Sequence, residues 1–321
     1  MGALLEISDF DLTFRTLDGP VEVLKGLNIT VGLSERVALV GESGSGKSVT
    51  ARMIMGLLPR KRLKTRGKIM FDGVDMLHES ESQSRMRRGR DITMIFQDPM
   101  ASLNPVYTIR TQFSAVLRRT TGRNDSELAS VMREALSNVS IADPDRVLDS
   151  YSFQLSGGLN QRVLIAMALA GSPRLLIADE PGTALDVTVQ QQTLNVMDAL
   201  TRSSGTAILF ISHNLGVVRN FAHRVCVMYA GRIVEQASTE DLFATPRHPY
   251  TRALIASLPR IASPELPDAI EGSVPSLDEV PEGCPFAPRC RYVEPRCRIG
   301  QIPMNNRGSH SVACVRAEEI A

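Results

Sequence analysis

The sequence predicts an α/β fold with a mixed core sheet. To this it adds an antiparallel β subdomain, a helical subdomain at about 98–172 and a small cysteine-containing appendage at the C-terminus. Three observations predict it. Short apolar runs alternate with helical stretches from Arg36 onward, the pattern of a largely parallel sheet covered by helices. A glycine-rich loop, Gly41-Glu42-Ser43-Gly44-Ser45-Gly46-Lys47-Ser48, follows one such run and opens a helical stretch. After about Pro259 the composition changes to dense prolines and cysteines.

The bulk properties set limits. A chain of 321 residues with 43% hydrophobic side chains can bury a large core and still carry an appendage. Lys plus Arg (36) nearly balances Asp plus Glu (35), giving a net charge of +1. Nucleic-acid binding through a strong overall positive field is not expected. The N-terminus, Met1-Gly2-Ala3-Leu4-Leu5-Glu6, lacks a basic region followed by an apolar stretch. The longest strongly apolar run, Val163 to Ala170, is less than half of a bilayer span. The expectation is a soluble chain that meets a membrane through a partner.

The elements follow in order. Leu4 to Val31 is rich in Val, Ile, Leu and Thr around the turn signal Asp18-Gly19-Pro20, and reads as antiparallel strands with a hairpin. Arg36-Val37-Ala38-Leu39-Val40 is a strand, and Lys47 to Leu58 a helix. The basic segment Arg60 to Lys68 reads as a solvated loop, with a contact to phospholipid or a partner as the alternative, and Ile69-Met70-Phe71-Asp72-Gly73 as a strand and turn. Tyr107 to Leu148 is helical and polar, with apolar residues at helical spacing through Ser126 to Leu136. Buried strands are expected at Leu175 to Ala178, Ala207 to Ile211 and Val225 to Tyr229, with a helix at Val187 to Thr201 between the first two. Cys226 lies in the last of these strands and reads as a core thiol.

The loop fits G-x-x-x-x-G-K-[ST]. Its glycines let backbone N–H groups turn inward around an anion, and the helix that follows adds its positive end. Lys47 is placed to reach the β- and γ-phosphates of a nucleotide, and Ser48 to bind Mg²⁺. Val49 closes the segment. Leu175-Leu176-Ile177-Ala178-Asp179-Glu180 delivers two acids to a strand end, where open α/β sheets bind ligands. Asp179 is the candidate to hold Mg²⁺, and Glu180 to polarise the attacking water. Leu155-Ser156-Gly157-Gly158-Leu159-Asn160-Gln161-Arg162 puts small residues and a serine before an apolar helix, a second anion site. One nucleotide does not need two such sites from one chain, so the second is expected to serve a nucleotide held by another subunit.

With these residues in place, the chain resembles an ATP-binding-cassette (ABC) ATPase over roughly residues 4–258. Leu155 to Gln161 is similar to the family's signature motif, with Leu155, Ser156, Gly157, Gly158 and Gln161 implied to face a partner's ATP. The resemblance implies further roles. Gln97, in Met94-Ile95-Phe96-Gln97-Asp98-Pro99, matches the Q-loop, which senses Mg²⁺ and water and couples to the membrane partner. Ala184-Leu185-Asp186 matches the D-loop, and His213 the switch histidine near the γ-phosphate. Phe14 is the candidate for the aromatic that stacks on adenine, with an ordinary strand aromatic as the alternative. Two departures stand out: Leu159-Asn160 before Gln161, and Gly182 where Thr or Ser is common. Neither removes a phosphate or metal contact, and both bear on the dimer interface.

Four of the five cysteines fall in the last 40 residues, at Cys284, Cys290, Cys297 and Cys314, spaced C-x5-C-x6-C-x16-C. In a chain without an export signal such a cluster favours metal over disulfides. The spacing lacks the C-x2-C pairs usual for zinc. The segments Arg247-His248-Pro249-Tyr250-Thr251-Arg252-Ala253-Leu254, Gly283-Cys284-Pro285-Phe286 and Pro288-Arg289-Cys290 resemble the oligopeptide/dipeptide importer branch of the family. The long form Gln97 to Pro105 agrees. That resemblance implies a [4Fe–4S] cluster on the four cysteines, with zinc or free thiols as alternatives. A cluster there is expected to be a structural staple for a loop-rich appendage without a large core.

The reading is an ATP-hydrolysing subunit at the cytoplasmic face of the inner membrane, powering peptide import, with residues 1–258 as the ATPase and 259–321 as the appendage. The resemblance implies a second ATPase subunit, a related but different chain. It also implies two transmembrane permease subunits and an external solute-binding protein. Nickel or another small solute is the alternative cargo. A non-transport ABC protein is a further alternative, set aside for want of a second cassette, coiled-coil arms or basic inserts. A nucleotide-binding regulator without turnover is opposed by the presence of Glu180 and His213.

Overall fold

Leu5–Thr16 and Gly19–Val31 are neighbours in a four-stranded sheet completed by Leu63–Phe71 and Val74–Asp75. In the computed structural model, which describes residues 2–122, 124–182, 186–258, 270–276 and 280–320, the third of these strands corrects an expectation. The basic segment read as a solvated loop is a short 3-10 turn at Arg60–Arg62, and then a strand. That strand pairs antiparallel with the first, setting Lys64 opposite Thr13 and Lys68 opposite Ser8. Its Lys and Arg side chains are exposed while its backbone is paired. Charge marks a solvated face here, and the ladder satisfies the peptide groups beneath it.

The chain divides into two compact units. One comprises the described residues of 3–30, 36–77 and 211–321, and so contains the four-stranded sheet and the described part of the C-terminal appendage. At its centre is Arg36–Val40, buried at every position and parallel to Arg224–Tyr229, with Val37 opposite Arg224 and Val40 opposite Val227. Arg232–Ser238 returns antiparallel. The two linking residues, Ala230 and Gly231, have φ of 44° and 80°, the left-handed pair of a tight hairpin turn. The appendage then adds two strands that composition did not reveal. His310–Val312 pairs with Arg232–Ser238, placing Val312 opposite Glu235, and Asn305–Arg307 pairs with His310–Val312. The appendage is therefore held by a shared sheet as well as by its own contacts. The helix after the glycine-rich loop is Lys47–Ile54, shorter than expected. Gly56, at φ 62°, supplies the left-handed residue that ends it.

The other unit comprises the described residues of 78–210 with 31–35 and Gly2. Ile92–Ile95 pairs parallel with Leu175–Asp179, with Ile92 opposite Leu175 and Ile95 opposite Ala178. Ala207 to Phe210, the part of Ala207–Ser212 in this unit, runs beside them. Between the first two strands lie the helices Pro99–Ser102, Ile109–Thr121, Asp125–Asn138, Pro144–Asp149 and Gly157–Leu169. Ile109, Phe113 and Leu117 on one helix and Leu128, Met132 and Leu136 on another are buried at i, i+4, i+8 spacing, one stripe each facing inward. Asn124 and Glu127 form a capping box at the start of the second. Gly158 has a specific reason: a Cβ there would lie 2.9 Å from Val189 Cγ1, on the helix Val187–Ser204.

The expected boundary after residue 258 falls where 259–269 lie outside the described residues. Among the described residues no helix is long and apolar enough to cross a membrane.

Candidate functional site

The glycine-rich loop begins where the buried strand Arg36–Val40 ends. Gly41, Gly44 and Gly46 have φ of 157°, 80° and 107°, conformations that side chains disfavour. Gly41 is also closed in: an added Cβ would run into Met228 O and lie 3.0 Å from Ser45 Oγ. Lys47 Nζ donates to Gly41 O at 2.8 Å and Glu42 O at 2.9 Å, so its ammonium is turned into the loop. Gly231 N–H donates to Ser45 O at 2.9 Å, tying the loop to the hairpin turn. Ser45 and Lys47 are buried, Ser48 and Val49 half-buried, and Ser43 and Gly44 exposed. The loop thus offers solvent its glycine-serine arc over a buried lysine and a helix N-terminus, the arrangement that receives a phosphate chain.

His213 is exposed in the same unit, one residue past Ala207–Ser212 and before the helix Leu215–Phe221, capped by Asn214. Phe14 is half-buried on Leu5–Thr16, opposite Leu63.

In the other unit, Asp179 ends its strand and is buried, and Glu180 follows it, half-buried, with φ 49°. A glutamate in the left-handed region is strained and persists where its surroundings hold it. One of those holds is Gln97, whose Nε2 donates to Glu180 Oε2 at 3.2 Å. Gln97 is itself exposed, two residues past Ile92–Ile95.

Ser156 caps the helix Gly157–Leu169 by accepting from Leu159 N–H at 3.3 Å. Ser156 and Gly157 are exposed, while Leu155 is buried. Gln161, which the resemblance sets against a partner's ATP, is fully buried within this chain. Asn160, a departure in the sequence, has a clear use: its Nδ2 donates to Ser152 O at 2.9 Å and Leu155 O at 3.4 Å, pinning the turn before the signature. Asp186 caps Val187–Ser204 by accepting from Val189 N–H at 2.9 Å. Ala184 and Leu185 of the expected D-loop lie outside the described residues.

All five cysteines are free thiols. Cys226 is fully buried in its strand. Cys284, Cys290, Cys297 and Cys314 line one cavity of about 20 Å³ together with His248. Burial pushes the Cys284 thiol up to about 12, with its three cysteine neighbours adding to the shift. Burial also raises Cys290 and Cys314. Among the described residues, no three His, Cys, Asp or Glu side chains gather as they must around a single metal ion. The four thiols line that cavity without the convergence of a single-ion site.

Two residues that the sequence used only as branch markers touch the glycine-rich loop. Tyr250 Oη accepts from Glu42 N–H at 2.9 Å, and Arg289 Nη1 donates to the Glu42 carboxylate at 3.0 Å. Their distance along the chain hides this from sequence.

Comparison with known proteins gives the family. Residues 24–183 match the ABC transporter model, and residues 234–297 match the oligopeptide/dipeptide transporter C-terminal region. The oligopeptide transport ATP-binding protein AppD of Bacillus subtilis is 42% identical, covering 99% of this chain and 98% of its own. OppD of the same organism, also an oligopeptide transport ATP-binding protein, is 46% identical over 90% of this chain and 82% of its own. A dimeric ATP-binding cassette solved after hydrolysis with ADP and phosphate aligns at TM-score 0.65 and 25% identity, covering 73% of this chain and 98% of that one. The chain belongs to the ABC transporter family and is one of its ATP-hydrolysing, ATP-binding subunits.

Proposed function

We propose that the chain powers import of di- or oligopeptides from the cytoplasmic face of the inner membrane. In this reading it works with a second, related ATPase subunit, two permease subunits and an external binding protein. The motor is assigned to residues 1–258 and the appendage to 259–321. The observation that carries the coupling is the Gln97–Glu180 hydrogen bond. It joins a proposed catalytic acid to a segment that displays exposed Phe96 and Met100 to solvent. Exposed Val106, Tyr107 and Phe153 in the same unit add apolar surface for a permease partner. The cargo assignment is supported by the relatives named for oligopeptide transport and by the C-terminal region match.

In the proposed mechanism the loop from Gly41 to Ser48, extended by Val49, cradles the ATP phosphates, Lys47 holds the β- and γ-oxygens, and Phe14 stacks on adenine. Ser48, Gln97 and Asp179 supply a hydroxyl, an amide and a carboxylate, an oxygen donor set suited to Mg²⁺. Together they would hold Mg²⁺, which would supply positive charge against the phosphates. Glu180 orients the attacking water and takes its proton, and His213 hydrogen-bonds the γ-phosphate. Ser156 and Gly157 present the helix N-terminus to a nucleotide held by the second cassette, and Asp186 lies at that interface. Cys284, Cys290, Cys297 and Cys314 would hold a [4Fe–4S] group that staples the appendage.

Reconstitution of the chain with its permeases, partner ATPase and binding protein tests the reading. Peptide should stimulate ATP hydrolysis and accumulate inside vesicles, and Glu180→Gln should stop both. Uptake of nickel without any response to peptide would overturn the cargo assignment.

A further inference from the structure

Glu42, the second residue of the glycine-rich loop, is gripped at both ends. Its backbone N–H donates to Tyr250 Oη at 2.9 Å. Its two carboxylate oxygens each accept from Arg289 Nη1 at 3.0 Å. The Arg289 side chain is only 6% exposed, against 28% for Glu42. Arg289 is itself fixed. Its Nε donates to Glu271 O at 2.8 Å, and Nη2 to Gly272 O at 3.2 Å and Ile270 O at 3.3 Å. Its Nη1 also reaches Tyr229 Oη at 3.3 Å. The guanidinium lies 5.9 Å from the centres of the Tyr229 and Phe286 rings, within cation–π range. Tyr229, Tyr250 and Phe286 pack on one another, with centroids 4.7 to 5.4 Å apart.

Two physical consequences follow. The carbonyls of Gly41 and Glu42 are the acceptors for Lys47 Nζ, so fixing the Glu42 peptide fixes the loop backbone that Lys47 reads. The carboxylate of Glu42 also carries a negative charge on the loop that receives a triphosphate. Without its arginine this part-buried carboxylate would repel phosphate at close range, where salt screens less than between fully exposed charges. Arg289, which grips the carboxylate, and Phe286, one ring of the platform beneath it, both come from the cysteine-bearing segment, with Arg289 immediately before Cys290.

We propose that Arg289 is a positioning residue for ATP, acting through Glu42 to hold the phosphate loop in its binding form and to neutralise its charge, with Tyr250 fixing the adjoining peptide. The appendage is thereby a working part of the nucleotide site. The proposal rests on the reading that this loop binds ATP.

The test uses the full-length chain, with Mg-ATP binding measured by calorimetry, and the assembled transporter for KM and kcat. Arg289→Ala should raise the Kd and KM for ATP about tenfold while kcat at saturating ATP changes less than about twofold. Adding Glu42→Gln should bring the Kd back to within about threefold of the unaltered chain, since the repelling charge is gone. A merely structural arginine would show no such rescue. Arg289→Lys keeps a charge and loses the fork, and should raise Kd about threefold with the melting temperature preserved. An unchanged Kd in Arg289→Ala or Arg289→Lys, or failure of Glu42→Gln to rescue, overturns the proposal. Lys47→Ala is the control. If it too binds ATP normally, the loop assignment itself is wrong.

Discussion

Gln97 Nε2 and Glu180 Oε2 are 3.2 Å apart and hydrogen-bonded, although 83 residues separate them in the chain. Each follows the C-terminal end of one of two paired parallel strands, Ile92–Ile95 and Leu175–Asp179. The pairing of the strands brings the two side chains together. The same geometry places Glu180 at φ 49°, a conformation it is held in rather than one it prefers.

Replacing Glu180 by Gln keeps its size and removes its basicity. The expected result is a fall in kcat of at least about 100-fold with ATP affinity retained. Gln97→Ala removes one restraint on Glu180 and should lower kcat about tenfold. Single-turnover hydrolysis alongside ATP-binding titrations checks both, and a normal kcat in Glu180→Gln would remove it from the chemistry.

Asn160→Ala leaves Ser152 O and Leu155 O without their buried donor, a loss of about 1–3 kcal/mol. Because those carbonyls set the turn before Ser156, hydrolysis by the assembled transporter should fall while ATP binding by the single chain stays normal. Comparing the two measurements decides the matter.

Glu235 is fully buried and accepts hydrogen bonds from Arg247 N–H at 2.7 Å, His248 N–H at 2.9 Å and His310 Nε2 at 2.7 Å. Burial works against its ionisation. The hydrogen bonds from His310 and from the backbone of Arg247 and His248 help to outweigh it and hold the carboxyl below its ordinary 4.5. A depressed carboxyl contributes its stability in full above the unfolded value and loses it as pH falls through the lower folded value. Hydrogen-exchange protection of the Ala313 N–H, bonded to Val234 O at 2.8 Å, should therefore hold steady near neutrality and fall in acid. Glu235→Ala should abolish it at neutral pH, at a cost of about 3 kcal/mol or more.

The chain purified without oxygen should be brown, with about four irons and four sulfides per chain, if the four cysteines hold the cluster. Colourless protein with one zinc per chain would replace that assignment. Cys297→Ser should bleach the colour and lower the melting temperature.

Much of the site was legible because its signals are local. The glycine-rich loop needs its glycines in sequence, and buried strands announce themselves as apolar runs, as Leu175–Asp179 does. What stayed hidden depends on contacts far along the chain. Arg289 and Glu42 are 247 residues apart, and neither type nor spacing links them. Asn305–Arg307 is exposed throughout and becomes a strand only because His310–Val312 lies beside it. The basic strand after Arg62 is hidden for the related reason that exposed charge reports on a side-chain face and says nothing of backbone pairing. Burial of Gln161 and Leu155 is likewise unreadable from the motif, which gives the order of residues along a helix and not the face each one takes.

Consider the short strand His310–Val312 on the ribosome. Arg232–Ser238 is synthesised first, and residues 239–309 must follow before its covering strand exists. For that interval the nascent chain carries an open β edge, able to pair with another copy. Messages cut short before His310 would release that edge permanently. His310–Val312 thus closes a vulnerability that Arg232–Ser238 creates.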